Sequence, residues 1–154
     1  MMAKVKTPQV NSENEKIIEL LNVVLKLEYT IIIHLPRISA AFHDREIRDK
    51  VLHLSSASVK HADEVAGALE KLGGKPEWKF EPFPDDGDLV KMFEIQVAKE
   101  QEAHRLHLEC ARLAPGQVLK EQFRKMAKDE DWHTEIAGEV LAYLRKQEND
   151  SVPV

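Results

Sequence analysis

The strongest constraint in this sequence is a helical spacing of apolar residues that persists through four long stretches. In each stretch, apolar side chains recur at alternating intervals of three and four residues, which is the spacing of helices that pack at shallow angles. The stretches cover about 13–43, 46–72, 88–113 and 117–147. No segment shows the alternation with period two that indicates a strand. The sequence therefore predicts an all-α fold, a four-helix bundle.

The connections between these stretches determine how the helices run. A short turn at 42–45 joins the first two helices, and a turn at 114–116 joins the last two. Each of these pairs is therefore expected to be antiparallel. Gly73 and the glycine after it are predicted to end the second helix, and Asn11 or Ser12 is predicted to cap the first.

Residues 75–88 form the one long connection. Three prolines and Gly87 interrupt regular structure there, while Trp78, Phe80 and Phe83 alternate through the segment. At up to ~3.3 Å per residue, such a segment spans the length of a bundle. We interpret it as an extended crossover that its aromatic residues hold against the helices. The third helix can then start at the same end as the second.

Composition limits the class of protein. A chain of 154 residues suits one domain, here 1–154 with its core at 13–147. The net charge of −5 argues against nucleic acid or an anionic membrane as a partner, and no run of about 18 apolar residues predicts a membrane span. The first ten residues lack an apolar core, so we expect no signal peptide. The single cysteine, Cys110, suits a cytoplasmic protein and is expected to be a buried small apolar residue.

The apolar face that each predicted helix buries, called here its seam, contains polar residues near its middle. Carboxylates occur there on three of the four predicted helices, at Glu28, Glu100 and Glu130, and His61 lies on the remaining one. A buried, unpaired carboxylate costs several kcal/mol, and the seams supply no Lys or Arg at that level. A divalent cation would neutralise this charge. Oxygen and imidazole ligands together suit iron or manganese, and they also accept zinc.

The spacing on the fourth helix strengthens this interpretation. Glu130 and His133 are three residues apart, so they lie on one helix face and converge on one point. A Glu-x-x-His pair combined with glutamates from other helices is how di-iron carboxylate bundles are built. The sequence therefore predicts a metal site in the core.

Several local strings resemble the ferritin-like superfamily, nearest to bacterioferritins and to the di-iron domain of rubrerythrins. The resemblance covers roughly 13–145. The strings that carry it are Leu27-Glu28-Tyr29, Lys60-His61-Ala62-Asp63, Leu72-Gly73-Gly74-Lys75-Pro76, Glu100-Gln101 and Asp129-Glu130-Asp131-Trp132-His133.

The resemblance implies two irons that share Glu130. One iron would be held by Glu28, His61 and Glu130, and the other by Glu100, His133 and Glu130. His104, one turn beyond Glu100, is a further candidate ligand. His107 is two turns away, so we do not include it among the predicted ligands.

The sequence also departs from the family pattern. Ser58 stands where the second helix normally has a bridging glutamate, so the predicted site has one carboxylate fewer. Val59 stands where bacterioferritins place a haem-binding methionine, so we expect no haem. Leu35 replaces an expected tyrosine. We expect no rubredoxin domain, so the resemblance does not extend to a full rubrerythrin.

The resemblance implies a protein that binds Fe(II) and oxidises it with O₂ or peroxide, in a homo-oligomer of two or more copies. Several alternatives stay open from the sequence. One is peroxide reduction of the rubrerythrin type, and another is a manganese site of the catalase kind. Ser58 motivates a third, a helical scaffold that retains a degenerate site for a single metal.

Overall fold

The computed structural model describes residues 14–84 and 87–150. Its helices are α1 Glu15–Ser39, α2 Arg45–Lys71, α3 Leu89–Leu113 and α4 Gln117–Asp150. All four predicted helices are present, so the predicted all-α bundle is confirmed. The predicted cap at Asn11 or Ser12 lies outside the described residues. Within the described ranges, no helix is long and apolar enough to cross a membrane.

α1 ends four residues earlier than predicted because its last turn tightens. The backbone N–H of Ala41 donates to the Ile38 carbonyl, and that of Phe42 donates to the Ser39 carbonyl. The end of the helix therefore has hydrogen bonds between residues three apart, as in a 3₁₀ turn. The side chain of Asp44 then accepts a hydrogen bond from Ile47 N at 3.0 Å and caps α2.

The bundle places α1 against α2 and α3, and α4 against the same two helices. Its apolar core is divided into two clusters. One contains Leu21, Phe123 and their neighbours, and the other contains Leu35, Phe93 and theirs. The polar residues singled out in the sequence lie between the two clusters, at the middle of the bundle.

The crossover follows the outer face of α1. Four residues spaced four apart on that face, Asn22, Lys26, Thr30 and His34, all contact it. Asn22 exchanges hydrogen bonds with the backbone of 75–77. Thr30 Oγ1 accepts from Glu81 N at 3.0 Å, His34 Nε2 lies 2.8 Å from Glu81 O, and Lys26 pairs with the Glu81 carboxylate at 2.7 Å. The crossover therefore runs parallel to α1, and α3 starts at the end where α2 starts.

Aromatic contacts also hold this segment, as predicted, beside the polar contacts. Trp78 packs on Tyr29 with ring centroids 4.5 Å apart, and Phe83 packs on His34 at 5.4 Å. Trp78 is nevertheless 69% exposed and Phe80 43% exposed. The hydrogen bonds to α1, which the sequence did not predict, therefore hold the crossover together with the packing of Trp78 and Phe83.

Pro36 lies inside α1 and changes the hydrogen bonding one turn earlier. Proline has no N–H, so the Ile32 carbonyl four residues before it loses its helical partner. The Ser55 hydroxyl of α2 donates to this carbonyl at 3.3 Å. A buried serine on the neighbouring helix thereby compensates for the proline.

Ser55→Ala is expected to lower the free energy of unfolding by about 1 kcal/mol, because it leaves the Ile32 carbonyl without a partner. Urea denaturation followed by circular dichroism measures this difference. Ser56→Ala, at an exposed neighbouring position, is the matched control and should be close to neutral. Equal stabilities for the two variants would contradict this role for Ser55.

Candidate metal centre

Six ionisable side chains meet at the middle of the bundle, and every helix contributes at least one. All six are 4% exposed or less. They form two donor groups that share one residue. Five of them were predicted from the sequence, and the sixth is His107. The set is Glu28 of α1, His61 of α2, Glu100 and His107 of α3, and Glu130 and His133 of α4.

The first donor group consists of Glu28, His61, His107 and Glu130, whose donor atoms lie within 4.8 Å of one another. His61 Nδ1 lies 2.7 Å from Glu130 Oε1 and 3.5 Å from Glu28 Oε1. His107 Nε2 lies 3.3 Å from the same oxygen of Glu28. Two imidazole nitrogens and two carboxylates from four helices thus converge on one point.

The second donor group consists of Glu100, Glu130 and His133. His133 Nδ1 lies 3.2 Å from Glu130 Oε2 and 3.8 Å from Glu100 Oε2. The two oxygens of Glu130 therefore face different groups, with Oε1 toward the first and Oε2 toward the second. A carboxylate placed in this way can bridge two ions.

Several polar atoms of this layer are buried without a hydrogen-bond partner among the described residues. They are Glu28 Oε2, Glu100 Oε2, His107 Nδ1 and the hydroxyl of Ser58. Leaving such atoms unsatisfied costs about 1–3 kcal/mol each. Carboxylate oxygens with free lone pairs beside imidazoles are the ligands that iron, manganese and zinc accept. The donor set therefore fits a metal.

Burial and close contacts shift the protonation of the cluster. Burial, together with the neighbouring Glu130 carboxylate, raises the pKa of Glu100 well above its usual range. Burial also raises the pKa of Glu130 and lowers that of His133. Burial opposes a charge on His61, but its hydrogen bonds to Glu130 and Glu28 outweigh this and raise the pKa of His61 to about 11. Burial would likewise raise the pKa of Glu28, yet the hydrogen bonds from two histidines hold it below its usual range.

Other side chains orient these donors. Asp129 lies 3.1 Å from His61 Nε2, which directs Nδ1 of that ring inward. Gln96, one turn before Glu100, donates its amide to Glu100 Oε1 at 2.9 Å. Hydrogen bonds of this kind to ligand side chains fix ring orientation and carboxylate rotamers.

The structure separates the two histidines of α3 that the sequence left uncertain. His104 lies outside both donor groups. Its Nδ1 is 2.7 Å from the Ala127 carbonyl and 3.1 Å from the Asp131 carboxylate, so it joins α3 to α4 at the side of the bundle. His107 occupies the core instead. The remaining buried histidine, His34, serves the crossover.

Cys110 is fully buried in one of the two apolar clusters, as predicted. Burial raises the pKa of its thiol to about 12, so it stays protonated at neutral pH. A neutral thiol in an apolar cluster is a packing residue and a poor nucleophile.

A cleft between α2 and α4 leads from the surface to the cluster. Its volume is about 640 Å³, and its inner wall includes His61 and His133. Lys60, Lys125 and the half-exposed Trp132 also line it. The cleft gives both donor groups a route to small molecules in solution.

Comparison with known proteins shows that the fold is similar to those of ferritin-like structures. Neither a known family profile nor a curated protein matches the sequence. A ferritin-like, diiron-carboxylate protein from Bacillus anthracis is 23% identical, with a TM-score of 0.77. The match covers 85% of this chain and 99% of the B. anthracis chain.

Two further structures have a similar fold. The dodecameric thioferritin of Bacteroides fragilis, a bacterioferritin-related protein, is 15% identical, with a TM-score of 0.74. The match covers 90% of this chain and 92% of the thioferritin chain. The bacterioferritin of Desulfovibrio desulfuricans, which has a diiron site, is 16% identical, with a TM-score of 0.75. The match covers 87% of this chain and 82% of the bacterioferritin chain. The chain therefore has the ferritin-like fold, which confirms the predicted resemblance at the level of the fold.

Proposed function

We propose that this chain is a di-iron protein that binds Fe(II) at the two donor groups and oxidises it with O₂ or peroxide. The observation that carries the proposal is Glu130, which points one oxygen at each group. The unpartnered oxygens of Glu28 and Glu100 support it, because a bound cation would satisfy both. The diiron sites of the B. anthracis and D. desulfuricans proteins, in the same fold, support iron as the metal.

The chemistry of the reaction follows from this donor set. Two Fe(II) ions held by these residues would supply the two electrons that, with two protons, reduce O₂ to hydrogen peroxide, and both would become Fe(III). Three carboxylates favour the ferric product, because hard oxygen ligands suit the higher charge. His61 Nε2, on the side of the ring away from the donor group, lies 3.1 Å from Asp129, so this nitrogen can exchange a proton with that carboxylate. The cleft admits a small oxidant to His133.

We further propose that copies of this chain assemble into a homo-oligomer. The B. fragilis protein, which shares the fold, is dodecameric. Several large apolar side chains are exposed on this chain, including Val118 at 78% and Val59 at 52%. A contact between copies of the chain would cover side chains of this kind. Analytical ultracentrifugation tests the proposal, and a monomer at micromolar concentration would contradict it.

The test of the proposed function is an anaerobic Fe(II) titration of metal-stripped protein, followed by mixing with O₂ or with peroxide. Two irons per chain and a rapid rise in near-ultraviolet absorbance are expected. A faster reaction with peroxide than with O₂ would favour peroxide reduction. No oxidation above the rate in buffer would refute the proposal.

Ser58 favours a second candidate, a bundle that holds one metal without redox chemistry. The residue is fully buried and supplies no charge where a second bridging carboxylate would lie. In that case the same titration would give one ion per chain. The bound ion would remain divalent after exposure to O₂.

The affinity for divalent metal should rise with pH. The raised pKa of His61, about 11, means that this imidazole holds a proton at neutral pH and must release it to bind a metal. Release of this proton alone makes the affinity increase about tenfold per pH unit between pH 6 and pH 8. Protons lost by Glu100 and Glu130, whose pKa values are raised, make the increase steeper. Competition with a chromophoric chelator at pH 6, 7 and 8 measures this slope, after correction for the chelator's own protonation. An affinity independent of pH would contradict the protonation described here.

A further inference from the structure

We propose that His107 is a metal ligand through Nε2, and that it makes the two metal positions unequal. The first position is the donor group of Glu28, His61, His107 and Glu130, and the second is that of Glu100, Glu130 and His133. This inference rests on the proposed function, since it assumes that metal binds at the cluster. It adds a ligand that the sequence pattern did not assign, together with an order of filling.

The contacts of His107 all point to the first position. The side chain is fully buried. Its Nε2 lies 3.3 Å from Glu28 Oε1 and 3.8 Å from Glu130 Oε1, and its ring centroid is 5.5 Å from that of His61. Its Nδ1 has no partner among the described residues. Both of its polar contacts are therefore to carboxylates of the first position, and within 14–84 and 87–150 no hydrogen bond joins the ring to another part of the bundle.

Ser58 explains why a histidine is useful here. With serine at this position of α2, the first position would have only Glu28, His61 and Glu130. The Ser58 hydroxyl is buried and carries no charge to attract a cation. His107 approaches the same oxygens from α3 and brings the donor residues back to four. The second position receives no such replacement and keeps three.

The two positions therefore differ in number and type of donors. The first has two imidazoles and two carboxylates, a four-donor set that suits tetrahedral binding of Zn(II) or Co(II) as well as Fe(II). The second has one imidazole and two carboxylates, one of them shared. It keeps more of the coordination sphere open, because it has three donor residues where the first has four. We infer that the first position fills at lower metal concentration and that the second is the exchangeable one.

The test is a Co(II) titration of metal-free protein, followed by its d–d absorption, with a Zn(II) competition against a chromophoric chelator. The full chain is used as wild type, His107→Ala and His104→Ala. His104 is the matched control, because it lies on the same helix one turn away but outside both groups. Wild type and H104A should bind in two steps, with the tighter step giving the absorption of a four-donor site.

His107→Ala should lower the metal affinity of the first step at least about tenfold and leave the weaker step in place. Removing a residue that only hydrogen-bonds to a ligand already lowers metal affinity by about tenfold or more, so removing a ligand should cost at least as much. Thermal unfolding of the metal-free variants shows whether they fold. His107→Leu provides a second variant that keeps the volume of the core without a polar atom. An unchanged first step in H107A or H107L, or two equal steps in wild type, would overturn the inference while leaving the proposed function intact. A wild-type protein that binds no metal would instead overturn both.

Discussion

Replacing Glu130 with alanine is expected to abolish Fe(II) oxidation and to remove binding of the second ion. Glu130 is the only described residue that belongs to both donor groups. Without it, the first group keeps three donors and the second keeps only Glu100 and His133. Two donors hold a divalent cation poorly, so the second ion should be lost at micromolar metal concentration. Because the two-electron step needs both irons, the oxidation rate should fall to that of Fe(II) in buffer.

The measurement is the anaerobic titration followed by mixing with O₂, performed in parallel on a matched variant. Glu135→Ala is suitable, because Glu135 lies on the same helix and is exposed. It should bind two irons and react as wild type does. Glu130→Gln separates charge from shape, since glutamine retains the volume but not the negative charge. Rapid oxidation by E130A or E130Q would show that a shared carboxylate is not required.

Metal binding is expected to raise the thermal stability of the protein strongly. The cluster buries three carboxylates, two of which have raised pKa values, so the metal-free fold bears the cost of desolvating them. A cation that binds only the folded state stabilises it by about 4 kcal/mol at a free concentration 1,000 times Kd. For a chain of this size, that corresponds to an increase in Tm of about 10 °C.

Differential scanning calorimetry of the metal-free protein, with and without Zn(II) or Mn(II), measures this increase without redox chemistry. A chelator should reverse it. The Glu130→Ala variant should show a much smaller increase, which separates binding at the cluster from weak binding at the surface. A wild-type Tm that does not respond to metal would mean that the cluster is a polar layer and not a metal centre.

The sequence predicted the helices well because their buried faces repeat with the period of the helix. It also predicted that Glu130 and His133 converge on one point, since residues three apart on one helix face the same direction. These features depend on local geometry alone. What the sequence did not predict depends on contacts between helices and with the crossover.

The two histidines of α3 illustrate the difference. At about 100° per residue, His107 points only about 20° away from the direction of Glu100, whereas His104 points about 40° away on the other side. His107 was left out because it lies roughly 10 Å further along the axis. The structure shows that the cluster extends along the bundle, with Glu100 in one group and His107 in the other. The direction of the side chain around the helix therefore predicted the location of His107 in the cluster, whereas its distance along the helix axis from Glu100 did not.

The stripe on α1 that holds the crossover was also missed. Asn22, Lys26, Thr30 and His34 read as an ordinary polar face of an amphipathic helix. Nothing in their spacing indicates that an extended segment 50 residues later supplies the partners. Likewise, Ser55 has no visible link to Pro36 until α2 is packed against α1.

The distribution of the donors over the chain has a consequence for how metal and fold depend on each other. α1 with α2, and α3 with α4, form two helical hairpins joined by the crossover. The first position takes Glu28 and His61 from one hairpin and His107 and Glu130 from the other, so an ion there is a cross-link between them. The second position draws all of its donors from the α3–α4 hairpin. An ion bound at the second position could therefore exchange without altering the contact between the hairpins, whereas loss of an ion from the first position would remove a link between the two halves of the molecule.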